Sequence, residues 1–133
     1  MNKTVMRKRE DLIYPDESYK IVGILYDVFN NLGSGHKECF YQKAIAIALT
    51  NEKIKFKEQA YTPVTYKNVK IGKYFLDFLI DDKIVLEIKK DSIFRKQNIE
   101  QVYSYLKANN LKLGILANFT RTKVDYKRIL NIN

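Results

Sequence analysis

Between Tyr74 and Lys89 the chain runs Tyr-Phe-Leu-Asp-Phe-Leu-Ile, then Asp-Asp-Lys, then Ile-Val-Leu-Glu-Ile-Lys. Two apolar runs of strand character flank a polar turn, which predicts a β-hairpin. Set into those runs are Asp77, Glu87 and Lys89. Charged side chains are rare inside buried strands unless they are paired or bind a metal. Strand parity limits where they can point, because side chains alternate faces with period two. Glu87 and Lys89 therefore share a face. A loop of Asp81-Asp82-Lys83 would pair Ile80 with Ile84 and bring Asp77 opposite Glu87, with their Cβ atoms about 5 Å apart. A two-residue loop would set Asp77 against Leu86 instead, so a shared carboxylate site demands an odd loop.

Two converging carboxylates suit a hard cation such as magnesium, which takes one or two carboxylates together with waters and phosphate oxygens. A neighbouring lysine can stabilise a developing phosphorane or orient a water nucleophile. That combination is the chemistry of phosphodiester hydrolysis. By spacing alone, a salt bridge of Lys89 with Glu87 or Asp77 at a strand end accounts for the same residues.

Other features narrow the class. At 133 residues the length fits one domain, and ten Tyr and seven Phe provide for a core. No apolar run reaches membrane-span length and no secretory pattern opens the sequence. Residues 1–11 are expected to form a basic, flexible arm ahead of a single domain at 12–133. The single cysteine, Cys39, leaves no internal disulfide or cysteine-rich zinc site, and a cytoplasmic location is the default expectation. The single histidine, His36, argues against a Ser-His-Asp triad or a histidine-based metal site. The net charge of +9 suits a polyanionic partner, although a Lys-, Asn- and Ile-rich composition or a merely solubilising surface would produce it too.

Periodicity predicts a helix from Glu17 to Leu32 introduced by Pro15-Asp16, with Val22, Leu25, Tyr26, Phe29 and Leu32 as its apolar residues. A second helix is expected over 37–51, with Phe40, Ala44, Ile47 and Ala48 on one stripe. Strands follow at 56–59 and 61–66, a turn at Lys67-Asn68, and the long hairpin of 69–88. Asp91-Ser92 offers an N-cap for a third helix over 93–108. A buried strand is expected at 113–117, parallel to the Glu87 strand through a right-handed crossover. Residues 126–129 read as a last strand or a turn of helix. This order implies a mixed sheet flanked by helices.

Two helical pairs could join the hairpin. Glu38 and Tyr41 are three apart on the second helix and share a face, though Glu38 also suits the helix N-terminus as a simple dipole partner. Gln101 and Tyr105 are four apart on the third helix, offset from Ile99, Val102 and Leu106. They could hold a phosphate or a water, or be a solvated face with an aromatic edge.

Together these residues resemble the PD-(D/E)XK nuclease superfamily, and within it the small family of GxxExxY proteins. Gly35, Glu38 and Tyr41 match the naming motif of that family. Asp77 and Glu87-Ile88-Lys89 match the nuclease motif. Gln101 and Tyr105 match a further motif of RecB-like and lambda-exonuclease-like enzymes, and Asn118-Phe119 with Tyr126 to Ile129 resemble the closing segment. The resemblance spans Leu12 to Leu130 and departs at Leu76, where the superfamily often has proline. It implies an α/β (α+β), restriction-endonuclease-like fold and a Mg²⁺- or Mn²⁺-dependent nuclease acting on nucleic acid, DNA first. Asp77 and Glu87 would be metal ligands, with the Ile88 carbonyl as a third. Lys89 would assist catalysis, with Glu38 near the metal and Gln101, Tyr105 and Tyr41 on the substrate side. A non-catalytic nucleic-acid-binding or accessory subunit of a repair or defence complex is the alternative. A homo-oligomer or larger assembly stays open.

Overall fold

A computed structural model describes residues 13–132. The basic arm expected at 1–11 therefore lies outside the described residues. Among the described residues eight elements follow one another: α1 (Pro15–Leu32), α2 (Glu38–Asn51), β1 (Phe56–Tyr66), β2 (Val69–Ile80), β3 (Ile84–Lys89), α3 (Lys96–Asn109), β4 (Leu113–Phe119) and β5 (Val124–Leu130). The strands form one mixed sheet in the order β1-β2-β3-β4-β5. Only β3 and β4 run parallel, joined by α3, as the expected crossover requires. Both are buried along almost their whole length. Helices on both faces explain their continuous Ile, Val and Leu runs.

Two cores result. On one face α1 and α2 cover Phe78, Ile80, Ile84, Leu86, Ile88, Ile115 and Phe119. On the other, α3 covers Ala60, Leu76, Val85 and Leu116 through Val102, Tyr105 and Leu106. The helix–sheet approach is closest at Gly114, where an added Cβ would lie 2.5 Å from the Val102 side chain.

The helical stripes differ from those read by periodicity. On α1 the buried residues are Ser18, Ile21, Ile24, Leu25 and Val28, while Tyr26 and Leu32 are exposed. On α2 they are Tyr41, Ile45 and Leu49, while Phe40 and Ile47 face outward. Each helix carries apolar residues on more than one side, so spacing alone did not choose the packed face. The third helix starts at Lys96, not Ile93, and Asp91 does not cap it. Its carboxylate instead pairs with Arg95 Nε (2.5 Å) and accepts the Ser92 N–H, and the Ile93 carbonyl accepts a bond from Asn118 Nδ2. Residues 90–95 thus form a connection between β3 and α3. The segment around 126–129 is strand.

At the two tips the turns follow their chemistry. Lys67 and Asn68 both have positive φ, as a two-residue turn matching strand twist needs. The second loop holds three residues, Asp81-Asp82-Lys83, with Ile80 opposite Ile84.

Candidate active site at a fork in the sheet

The ladder between β2 and β3 has three pairs, Ile80–Ile84, Leu79–Val85 and Phe78–Leu86, and then stops. The next pair in the same register would be Asp77 and Glu87. There the two side chains bond to main-chain N–H groups across the strands. The Asp77 N–H donates to Glu87 Oε1 (2.8 Å) and the Ile88 N–H donates to Asp77 Oδ2 (2.9 Å). Each carboxylate thus accepts one N–H at the point where the strands part. Every buried N–H needs an acceptor, and at this fork side chains serve.

The strands also change sides here. Phe56, Phe78 and Ile80 pack on the α1–α2 core, whereas Ala60, Leu76 and Tyr74 pack against α3. Strict alternation would have kept Leu76 with Phe78. The switch coincides with Gln59 on β1, whose φ of 46° lies in the left-handed region, unusual for a strand residue. Gln59 falls between the pairs Glu58–Phe78 and Ala60–Leu76, directly across from Asp77. Its side chain lies near the Asp77 carboxylate and favours the charged form of that group.

The charges are poorly compensated. Glu87 is buried, with 3% of its surface exposed. That burial, aided by the neighbouring Asp77 charge, pushes its carboxyl up to about 8. Burial likewise raises Asp77, and raises Glu38 at the first turn of α2. Lys89 counters all three, attracting Glu38, Asp77 and Glu87. Three carboxylates face one lysine in a chain of net charge +9. Tyr105 of α3 joins them, its hydroxyl held well above the ordinary phenol range by burial and then by Glu87 and Asp77. Its ring meets Tyr74 edge-on at 4.8 Å.

The structure does not gather every residue singled out from the sequence. Tyr105 was expected on a flank of α3, yet it is part of the core cluster beside the carboxylates. Gln101, one turn earlier, stands on the exposed surface. Tyr41 is only 1% exposed and does not reach outward to a substrate. Its hydroxyl donates to the Gly33 carbonyl (2.7 Å), accepts the His36 N–H (3.4 Å), and its ring stacks on Phe119 at 4.2 Å. Gly33 and Gly35 both have positive φ in that loop. Tyr41 therefore pins the loop that leads into Glu38.

Two neighbours escaped the sequence reading as site residues. Gln59 was unreadable because a register shift between Val64 and Thr65 moves β1 by one residue. Counting back from the Lys67-Asn68 turn without that bulge sets Gln59 against Leu76. Asn118, seen only as part of the closing segment, pairs in register with Lys89 and is 1% exposed. Its Oδ1 has no hydrogen-bond partner among the described residues.

The donor set fits a hard divalent cation. Asp77 and Glu87 offer adjacent carboxylates, each with only one oxygen engaged in the exchange across the fork, and their excess negative charge favours a cation. No cluster of three or more His, Cys, Asp or Glu side chains with metal-holding geometry occurs among the described residues. A cation here would therefore need main-chain, water or substrate oxygens as well.

A mixed sheet with a parallel central pair, flanked by helices and forked at an Asp and a Glu-x-Lys, is the layout of a restriction-endonuclease-like domain. A family model of the PD-(D/E)XK nuclease superfamily matches residues 15–129, and the chain belongs to that superfamily. Its fold is shared with the crystal structure of SSO0001 (TM-score 0.57, 20% identity, over 94% of this chain and 62% of that one). It is shared also with an alkaline exonuclease, LHK-Exo, from Laribacter hongkongensis (TM-score 0.53, 10% identity, over 91% of this chain and 72% of that one). At these identities the likeness is one of fold, and this chain spans less than two thirds of SSO0001. No curated protein matches the chain. No helix among the described residues is long and apolar enough to cross a membrane.

Proposed function

We propose that this protein is a divalent-metal-dependent nuclease that hydrolyses phosphodiester bonds, with DNA as its first-choice substrate. The observation that carries this reading is the fork. It holds Asp77 and Glu87 side by side through their exchange with main-chain N–H groups, with Lys89 on the same strand as Glu87. Asp77 and Glu87 would hold Mg²⁺ or Mn²⁺, with the Ile88 carbonyl as a third ligand. Such an ion, when bound, polarises the phosphate and makes water a stronger acid. Lys89 orients the attacking water and offsets negative charge growing on the phosphoryl oxygens. Glu38 holds a water on the α2 side. Tyr105, protonated like any phenol near neutral pH, donates a hydrogen bond toward the substrate, and Gln101 meets the substrate at the solvent edge. Tyr41 acts as a positioning residue through the Gly33–His36 loop.

The test is cleavage of circular single- and double-stranded DNA with Mg²⁺, Mn²⁺ or EDTA, comparing wild type with Lys89→Ala. Metal-dependent nicking that the substitution abolishes is the expected result. Cleavage unchanged in Lys89→Ala would sink the assigned mechanism. The net charge of +9 supports a second reading, a non-catalytic nucleic-acid-binding or accessory subunit. Salt-sensitive binding of DNA by folded protein that cuts neither circles nor linear controls would select it.

A further inference from the structure

Beyond the fork, the distal half of the β1–β2 hairpin turns one face to α3 and the other outward. Ala60, Thr62, Tyr74 and Leu76 face α3, where Thr62 bonds Asn109. Tyr61 and Phe75 lie between these residues in sequence and so project the opposite way. They stand directly across from each other, 51% and 48% exposed, with ring centroids 5.8 Å apart. Lys70 Nζ lies 5.2 Å from the Tyr61 ring centroid, and Lys73 Nζ lies 5.7 Å from that of Phe75. Nearer the tip, Tyr66 is 61% exposed with Lys67 Nζ 5.3 Å from its ring.

A cross-strand aromatic pair helps hold any exposed hairpin together. That alone does not explain a cation beside each ring, or the charge of the segment. From Phe56 to Leu76 the chain carries four lysines and one acid, Glu58. Position matters as well. Tyr61 is two residues past Gln59 and Phe75 two before Asp77, so the pair is one pleat repeat, roughly 7 Å, from the fork. Accessible aromatic rings flanked by lysines are what unpaired bases and their phosphates require, whereas a base-paired duplex keeps its base faces stacked inside.

We infer that Tyr61 and Phe75, with Lys70 and Lys73, form a stacking platform that holds a single-stranded nucleic-acid segment and leads it to Asp77 and Glu87. The inference rests on the nuclease reading of the fork and deepens it by naming the strand state of the substrate. Bases stack on the two rings, and the lysines contact the phosphates.

The chain contains no tryptophan, so Phe75→Trp introduces a single reporter. Its fluorescence is titrated in EDTA with a short oligothymidylate and, separately, with a duplex of equal length. Quenching by the single strand at concentrations where the duplex gives none is expected. In anisotropy titrations Tyr61→Thr/Phe75→Thr should bind the single strand about tenfold or more weakly. Tyr61→Phe should bind normally, because stacking needs the ring and not the hydroxyl. Lys70→Gln/Lys73→Gln should flatten the salt dependence. If the double threonine variant does not fold by circular dichroism, the tryptophan titration decides alone.

Absence of quenching, or equal quenching by duplex, overturns the platform. So does sedimentation showing that wild type self-associates through this face and that the aromatic substitutions disperse it. Wild-type cleavage without quenching would remove the platform and leave the nuclease reading standing. Quenching by single strands with no cleavage under any metal would do the reverse.

Discussion

Two regions of the sheet obey different rules. At β3–β4 the strands pair without interruption, from Ile84–Leu113 to Lys89–Asn118, and almost every side chain is buried. At β1–β2 the chain bulges at Val64/Thr65, bends through a left-handed Gln59 and switches faces. Between them the β2–β3 ladder opens and two carboxylates occupy the gap. The regular region supplies rigidity, since β4 and the covering helices fix β3 from one side and two faces. The irregular region supplies the place where polar groups can sit in an apolar sheet with main-chain donors to satisfy them. The contrast teaches that the site needs both. Without the unbroken β3–β4 pairing, Glu87 and Lys89 would wander; without the fork, Asp77 would lie in a closed ladder.

That contrast can be broken by substitution, and the largest effect should come at the fork. Lys89→Ala should lower cleavage by about 10²–10³-fold or more, the usual cost of removing one group that stabilises transition-state charge. Its melting temperature should stay close to wild type. The reverse pattern is expected in the regular region. Ile115→Ala, at a fully buried position on β4, should cost about 2–5 kcal/mol in urea unfolding while the residual folded protein keeps its specific activity.

Proton linkage sharpens the same distinction. The carboxyl of Glu87 is at about 8 in the folded chain against an ordinary value of 4.5, so the folded state binds the proton more tightly than the unfolded state. Its contribution is fully present below about pH 4.5 and is lost as pH rises through about 8. Asp77 is shifted in the same direction. In EDTA, stability should therefore decline across this window. Glu87→Gln should remove most of the decline and be the more stable protein above pH 8, by on the order of a few kcal/mol. A wild-type stability that rises over the window would contradict the uncompensated charge at the fork.

The smallest effect concerns the bend. At φ 46°, Gln59→Gly should change stability by less than about 1 kcal/mol, since glycine adopts this conformation freely. Gln59→Val should cost about 1–3 kcal/mol, because a β-branched side chain is strained there. Denaturation of the pair measures how much strain the bend holds. Equal stabilities would mean that the backbone relaxes when the side chain changes.

How much was legible beforehand can be judged residue by residue. Parity set Asp77 against Glu87 only for an odd loop, and it was the shared-carboxylate site that demanded one; the structure has the three-residue loop and that register. The parallel return of β4 followed from an intervening helix, since parallel strands need a crossover. The packed faces of α1 and α2 did not follow. Tyr26, Leu32, Phe40 and Ile47 are as apolar as the residues that are buried, and only the sheet selects between the stripes. Nor does the third helix start near Asp91: it begins at Lys96, because the Asp91 carboxylate is taken up by Arg95.

The sequence by itself determined most of the local parts: the long hairpin, the buried strand at 113–117, and that an aspartate and a Glu-x-Lys stand in neighbouring strands. These depend on short-range periodicity and turn chemistry. It left 126–129 open between strand and helical turn, and it divided β1, which runs unbroken from Phe56 to Tyr66. Tertiary structure alone decided that Gln59 meets Asp77, that Tyr105 is drawn into the core beside the carboxylates, and that Tyr41 anchors a loop. Each depends on contacts between residues far apart in the chain. A one-residue bulge or a rotated helix, invisible in local pattern, changes which side chains meet.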